Sequence, residues 1–143
     1  MSEQQQGPVE PIEQSSAEPI EQGVLDLAAR VFDLARAGAT AELVEYLDAG
    51  VPANLTNHKG DTLLILAAYH GHPETVGALL ARGADHGRIN DRGQTPLAAA
   101  VFKQSAETVQ ALVAAGADPD AGQPSARATA QFFDLPEMAA LLG

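Results

Sequence analysis

Apolar positions along the chain fall into short helical stripes separated by polar turns. Val76, Leu79 and Leu80 are spaced i, i+3, i+4, and Val109, Leu112 and Val113 repeat that spacing, which the 3.6-residue helical period turns into one buried stripe per helix. The stripes themselves recur. "RAGATAELVEYLDAG" (36–50), "YHGHPETVGALLARG" (69–83) and "FKQSAETVQALVAAG" (102–116) superpose at a constant shift of 33. Leu43, Val76 and Val109 share one column, Leu47, Leu80 and Val113 a second, and Gly50, Gly83 and Gly116 a third. Upstream, "KGDTLLILAA" (59–68) and "RGQTPLAAAV" (92–101) keep the same shift, so the period covers a whole structural unit.

Each unit has a mechanical reading. Thr62 or Thr95 precedes a short apolar run and is placed to cap a first helix, with Pro96 at the position where no amide hydrogen is needed. The polar break "HGHPE" or "KQSAE" opens a second helix, again with a proline, Pro73, suited to its first turn. Gly83 and Gly116 sit where a left-handed residue ends that helix. "ADHGRINDRG" (84–93) is polar and turn-rich, and extends as a hairpin-like loop to the next unit.

This pattern resembles the ankyrin repeat, a 33-residue helix–turn–helix–loop unit carrying T-P-L-H-x-A, over about residues 24–143. The matching segments are "GQTPLAAA", "AAYHGHPETV" and "LLARGAD"; Ile65 and Ala98 replace the family's histidine, and Leu63 replaces its helix-starting proline. The resemblance implies an all-α ankyrin-repeat solenoid of about four units, near 24–56, 57–89, 90–118 and 119–143, with the terminal units acting as caps. "VLDLAARVFDLARAG" (24–38) gives the first unit a longer first helix. Residues 122–143 align with the third unit at a shift of 29, which puts Met138, Leu141 and Leu142 in the apolar columns.

Composition changes this picture at one end. Residues 1–23 hold five glutamates, three prolines and five glutamines with no lysine or arginine, and "EPIEQ" occurs there twice, so a disordered acidic tail is expected. The net charge of −11 disfavours nucleic acid, and no apolar run approaches the ~20 residues that span a bilayer. With no cysteine and no basic-then-apolar leader, a cytoplasmic, monomeric protein is expected. Abundant alanine and six arginines to two lysines suggest a GC-rich bacterial genome.

The four histidines, His58, His70, His72 and His86, lie within 29 residues. A metal site needs three or four ligands converging on one point, and these sit on different parts of the repeat, with His58 and His70 the only pair placed to approach. His72 falls in the family's Gly-His column, where local hydrogen bonding at the inter-helix turn is its expected job. No phosphate-binding glycine loop occurs, and Ser105 and Ser125 are far along the stack from any histidine, so no enzyme, cofactor or metal is expected.

A stacked solenoid offers its concave face and loop tips to a partner. The resemblance carries that role onto His58, Lys59 and Asp61 at one tip, Asp91, Arg92 and Gln94 at the next, and Tyr69, His70, Phe102 and Lys103 at helix ends, with Arg36 in the Tyr69 column. Four of eight basic residues and two of six aromatics are in that set, a composition suited to a binding hot spot for an acidic or mixed-charge protein segment. Two other readings stand beside it: an acidic inhibitor or immunity-type protein gripping a basic enzyme, and a histidine-based metal-binding protein.

Overall fold

A computed structural model describes residues 17–143, with side chains from residue 22 onward. Eight α-helices follow in order: α1 Ala17–Ala37, α2 Thr40–Asp48, α3 Leu63–Tyr69, α4 Pro73–Ala81, α5 Pro96–Lys103, α6 Ala106–Ala114, α7 Ala126–Phe132 and α8 Pro136–Leu142. Among the described residues the extended backbone amounts to two isolated bridges, Thr56 with Thr62 and Gly122 with Ser125, so the architecture is all-α as the period predicts.

The tail expected over 1–23 lies mostly outside the described residues, and α1 opens within it, at Ala17. The chain divides into two compact units after Val31, inside α1. In the first unit Val24 and Leu25 are about three-fifths exposed, and Gln22 Nε2 donates to Asp26 Oδ1 one turn on.

From Phe32 onward the chain is a stack of helical pairs. α3, α5 and α7 pack on one another in one layer, and α2, α4, α6 and α8 in a second. α3 packs on α4 and α5, and α5 on α3, α6 and α7, and every residue from Leu63 to Ala68 and from Pro96 to Val101 is buried. Small residues let these helices approach closely, and each buried leucine contributes roughly 1.5–3 kcal/mol. In the second layer Val76 and Leu79, and Val109 and Leu112, are fully buried, while Leu80 and Val113 are only half-buried; the stripe is narrower than the three columns implied.

The caps form where the sequence puts them. Thr62 accepts from the Ile65 amide at 3.0 Å, Thr95 from Ala98 at 3.1 Å and Ser125 from Ala128 at 3.0 Å. Pro73, Pro96 and Pro136 open their helices. Gly83 (φ 86°) and Gly116 (φ 97°) close α4 and α6, with the Ala84 amide donating to Leu79 O and the Ala117 amide to Leu112 O.

The last pair corrects the alignment. Gly122 and Gln123 match Gly93 and Gln94 at a shift of 29, but the caps Thr95 and Ser125 stand 30 apart, because Pro124 is inserted between loop and helix. Met138 therefore occupies the column of Thr75 and Thr108, and Leu142 that of Leu79 and Leu112; these two are buried and Leu141 is half-buried.

Candidate interaction face

Two hairpin tips build one wall of the site. In "NHKGD" (57–61) Asn57 Oδ1 accepts from the amides of Lys59 and Asp61 at 2.9 and 3.0 Å; in "NDRGQ" (90–94) Asn90 Oδ1 accepts from Arg92 and Gln94, both at 2.9 Å. An asparagine folding its own loop in this way leaves the intervening side chains free to project. The tips also join each other. The Asp91 amide donates to Lys59 O at 3.0 Å, and Asn90 Nδ2 donates to Asp61 Oδ1 at 2.9 Å. A β-carbon on Gly60 (φ 76°) would lie 2.7 Å from Asp91 Oδ1, so the close stacking of tips requires glycine there.

Between these tips and the inner helices lies a groove of about 470 Å³. Ile65, Leu66 and Tyr69 of α3 form its floor, His58, Lys59, Asp91 and Arg92 its tip side, and Arg36 and His70 its far side. Of the residues expected from the sequence, eight therefore converge here once Asp61 is included. Asp61 does so in a different capacity. It is 5% exposed and committed to Asn90, because its side chain turns inward to join two units instead of projecting from the tip. Gln94 and Phe102 line an adjoining depression with Tyr69, Arg92 and Pro124, and Lys103 lays its aliphatic stem over Gly71.

The aromatic rings are ordered into a ladder. Tyr69 and Phe102 stack at 6.0 Å with 7° between planes, Phe102 meets Phe133 edge-on at 5.5 Å, and Phe133 meets Phe132 edge-on at 4.9 Å. Tyr69 is half-buried, Phe102 is 44% exposed and Phe132 82% exposed, so the ladder is a surface feature with one flank against the core. Phe132 and Phe133 were not among the expected site residues. Only the shift of 30 places Phe132 in the column of Tyr69 and Phe102.

The family described as ankyrin repeats (3 copies) matches residues 31–123. The chain belongs to the ankyrin repeat family. An ankyrin repeat protein of Pseudomonas aeruginosa is 57% identical over 47 residues, which is 33% of this chain and 28% of the relative. The matched segment thus spans less than a third of that bacterial protein's length. Ankyrin repeats in general are non-catalytic modules for binding other proteins, and among the described residues no helix is long and apolar enough to cross a membrane.

The histidines of the ankyrin units divide by role. His72 Nε2 lies 2.8 Å from the carbonyl oxygen of Arg36, so it bonds the turn of the preceding unit and not its own. His70 is held below the ordinary imidazole value of 6.5, first by partial burial and then by the neighbouring His72, Arg36 and Lys103. His58 and His70 line the same groove, while His86 lies elsewhere, near Gly116, with a buried Nδ1 that has no partner among the described residues. No group of three or more histidine, aspartate or glutamate side chains among the described residues is arranged to hold a metal.

Arg36 is paired with Asp33 at 2.8 Å, an exposed contact worth at most about 1 kcal/mol and easily exchanged for a partner's carboxylate. Lys59, Arg92 and Lys103 make no ion pair among the described residues. The face therefore carries available positive charge in a chain whose net charge is −11.

Proposed function

We propose that the chain is a non-catalytic protein-binding module that receives an acidic or mixed-charge protein segment on this face. The stack of Tyr69 on Phe102 carries the reading. It presents two aromatic rings, 6.0 Å apart, partly exposed and flanked by Arg92, beside a groove walled by His58, Lys59 and His70. Tyrosine and arginine are enriched among the few residues that carry most of the binding energy at protein interfaces. Cations around them complement an acidic partner on contact and fix its register.

The test is affinity isolation with wild-type protein and the Y69A/F102A double variant, followed by identification of retained proteins and measurement of both melting temperatures. Ring pairs of this kind contribute about 0.5–1.5 kcal/mol beyond area. We expect a partner retained by the wild type to be lost by the variant while the melting temperature falls by about 10 °C, the variant staying folded at the temperature of the isolation. Retention of the same partner by the variant sinks the proposal.

A further inference from the structure

The face changes character from one end to the other. Around the first groove stand His58, His70 and three cations. Arg36 is paired with Asp33, Asp61 is buried against Asn90 and Asp91 projects from the tip, so Lys59 and Arg92 are the cations left without an ion pair among the described residues. The middle depression is shared: Tyr69 and Arg92 line it together with Phe102 and Pro124. Pro124 in turn begins a third hollow, of about 420 Å³, lined by Ala128, Thr129, Phe132 and Phe133. No cation lines that last hollow, and the exposed residue following Phe133 is an aspartate, Asp134. The three depressions adjoin through Tyr69, Arg92 and Pro124, with the cations Lys59 and Arg92 at one end and an apolar hollow at the other.

Resting on the binding role proposed above, we infer that the partner segment is an extended peptide with acidic residues at one end and apolar or aromatic residues at the other, seated in one direction only. Its acidic end lies over Lys59 and Arg92, and its apolar end lies on Pro124, Phe132 and Phe133. Reversing the segment would set carboxylates in the apolar hollow, which no cation lines, and apolar side chains against solvated cations, a mismatch at both ends. The run from α3 to α7 crosses two helix spacings of ~8–10 Å, roughly 20 Å, which an extended chain covers in about six residues.

This is tested by selecting binders from a random 12-residue peptide library on the intact chain, then measuring synthetic copies of the enriched peptides by fluorescence polarisation. The inference expects enriched peptides that share one order of acidic and apolar residues. K59E/R92E should weaken them about tenfold or more, and F132S/F133S by about fivefold to tenfold. Replacing the peptide's acidic residues by alanine should remove its sensitivity to K59E/R92E and leave its sensitivity to F132S/F133S. F132S alone, at a site 82% exposed, supplies a variant whose fold is not at risk. Peptides that are acidic throughout, or that bind F132S/F133S and F132S as tightly as wild type while losing K59E/R92E, overturn the directional inference and leave the groove intact. Failure to enrich any peptide sensitive to Tyr69, Phe102, Lys59 or Arg92 overturns both.

Discussion

His72 Nε2 lies 2.8 Å from the carbonyl oxygen of Arg36, thirty-six residues earlier, with the imidazole in the space a β-carbon on Gly38 would need. A carbonyl only accepts, so Nε2 carries the proton and the tautomer is set by the preceding unit. Gly38 has φ 71°, and a β-carbon there would fall 2.5 Å from His72 Nδ1. One turn is thus held by the ring of the next.

Removing either member should loosen this junction. His72→Ala takes away a hydrogen bond and leaves the carbonyl without its partner, costing about 1–3 kcal/mol. Gly38→Ala forces a left-handed alanine, roughly 1–2 kcal/mol, and adds the clash with the ring. In G38A/H72A the clash is gone, so urea denaturation should show the double variant less destabilised than the sum of the singles. Strict additivity would mean that ring and turn do not touch.

Asn90 joins two units through one side chain. Its Oδ1 holds the Arg92 and Gln94 amides and its Nδ2 donates to Asp61, which is 5% exposed. Asn90→Ala should cost about 2–4 kcal/mol, since it unfolds the tip and strips a buried carboxylate of its donor. Asn57→Ala, whose Nδ2 makes no such contact, should cost less. Equal losses in thermal or urea unfolding would contradict the special place given to the Asn90–Asp61 bond.

His70 makes the groove sensitive to pH. Partial burial and the nearby His72, Arg36 and Lys103 keep its imidazole below 6.5. The folded state therefore binds this proton less readily than the unfolded chain, so the His70 contribution to stability weakens as pH falls through 6.5 toward the folded value. An acidic segment in the groove acts oppositely, because a carboxylate favours the charged ring; affinity for it should rise over the same interval. NMR titration of the ring checks both parts. Lys103→Met should bring the His70 value upward, and no movement would remove Lys103 from the causes.

Much of this architecture was legible in the residues alone. The 33-residue period, the glycine columns and the threonine caps each record a local backbone requirement, and such requirements repeat wherever the unit repeats. The last unit was misaligned by one residue because Gly-Gln recurs at 93–94 and 122–123 and hides the insertion of Pro124. That slip also concealed Phe132 as the third member of the Tyr69 column. The tip sequence gives no sign that Asp61 turns inward, because its partner, Asn90, is 29 residues away and no local pattern announces a bond across units. The bond of His72 to the preceding unit is hidden for the same reason: contacts between units are set by stacking, which the pattern of a single repeat does not display.

The most direct check on the central claim is hydrogen exchange of the intact chain, free and bound to a partner that Y69A/F102A fails to retain. Binding on the proposed face predicts added protection in residues 57–61 and 90–94 and at the ends of α3 and α5, around Tyr69 and Phe102, with α4 and α6 unchanged. Protection confined to α4 and α6, with both tips exchanging as in the free protein, would contradict it.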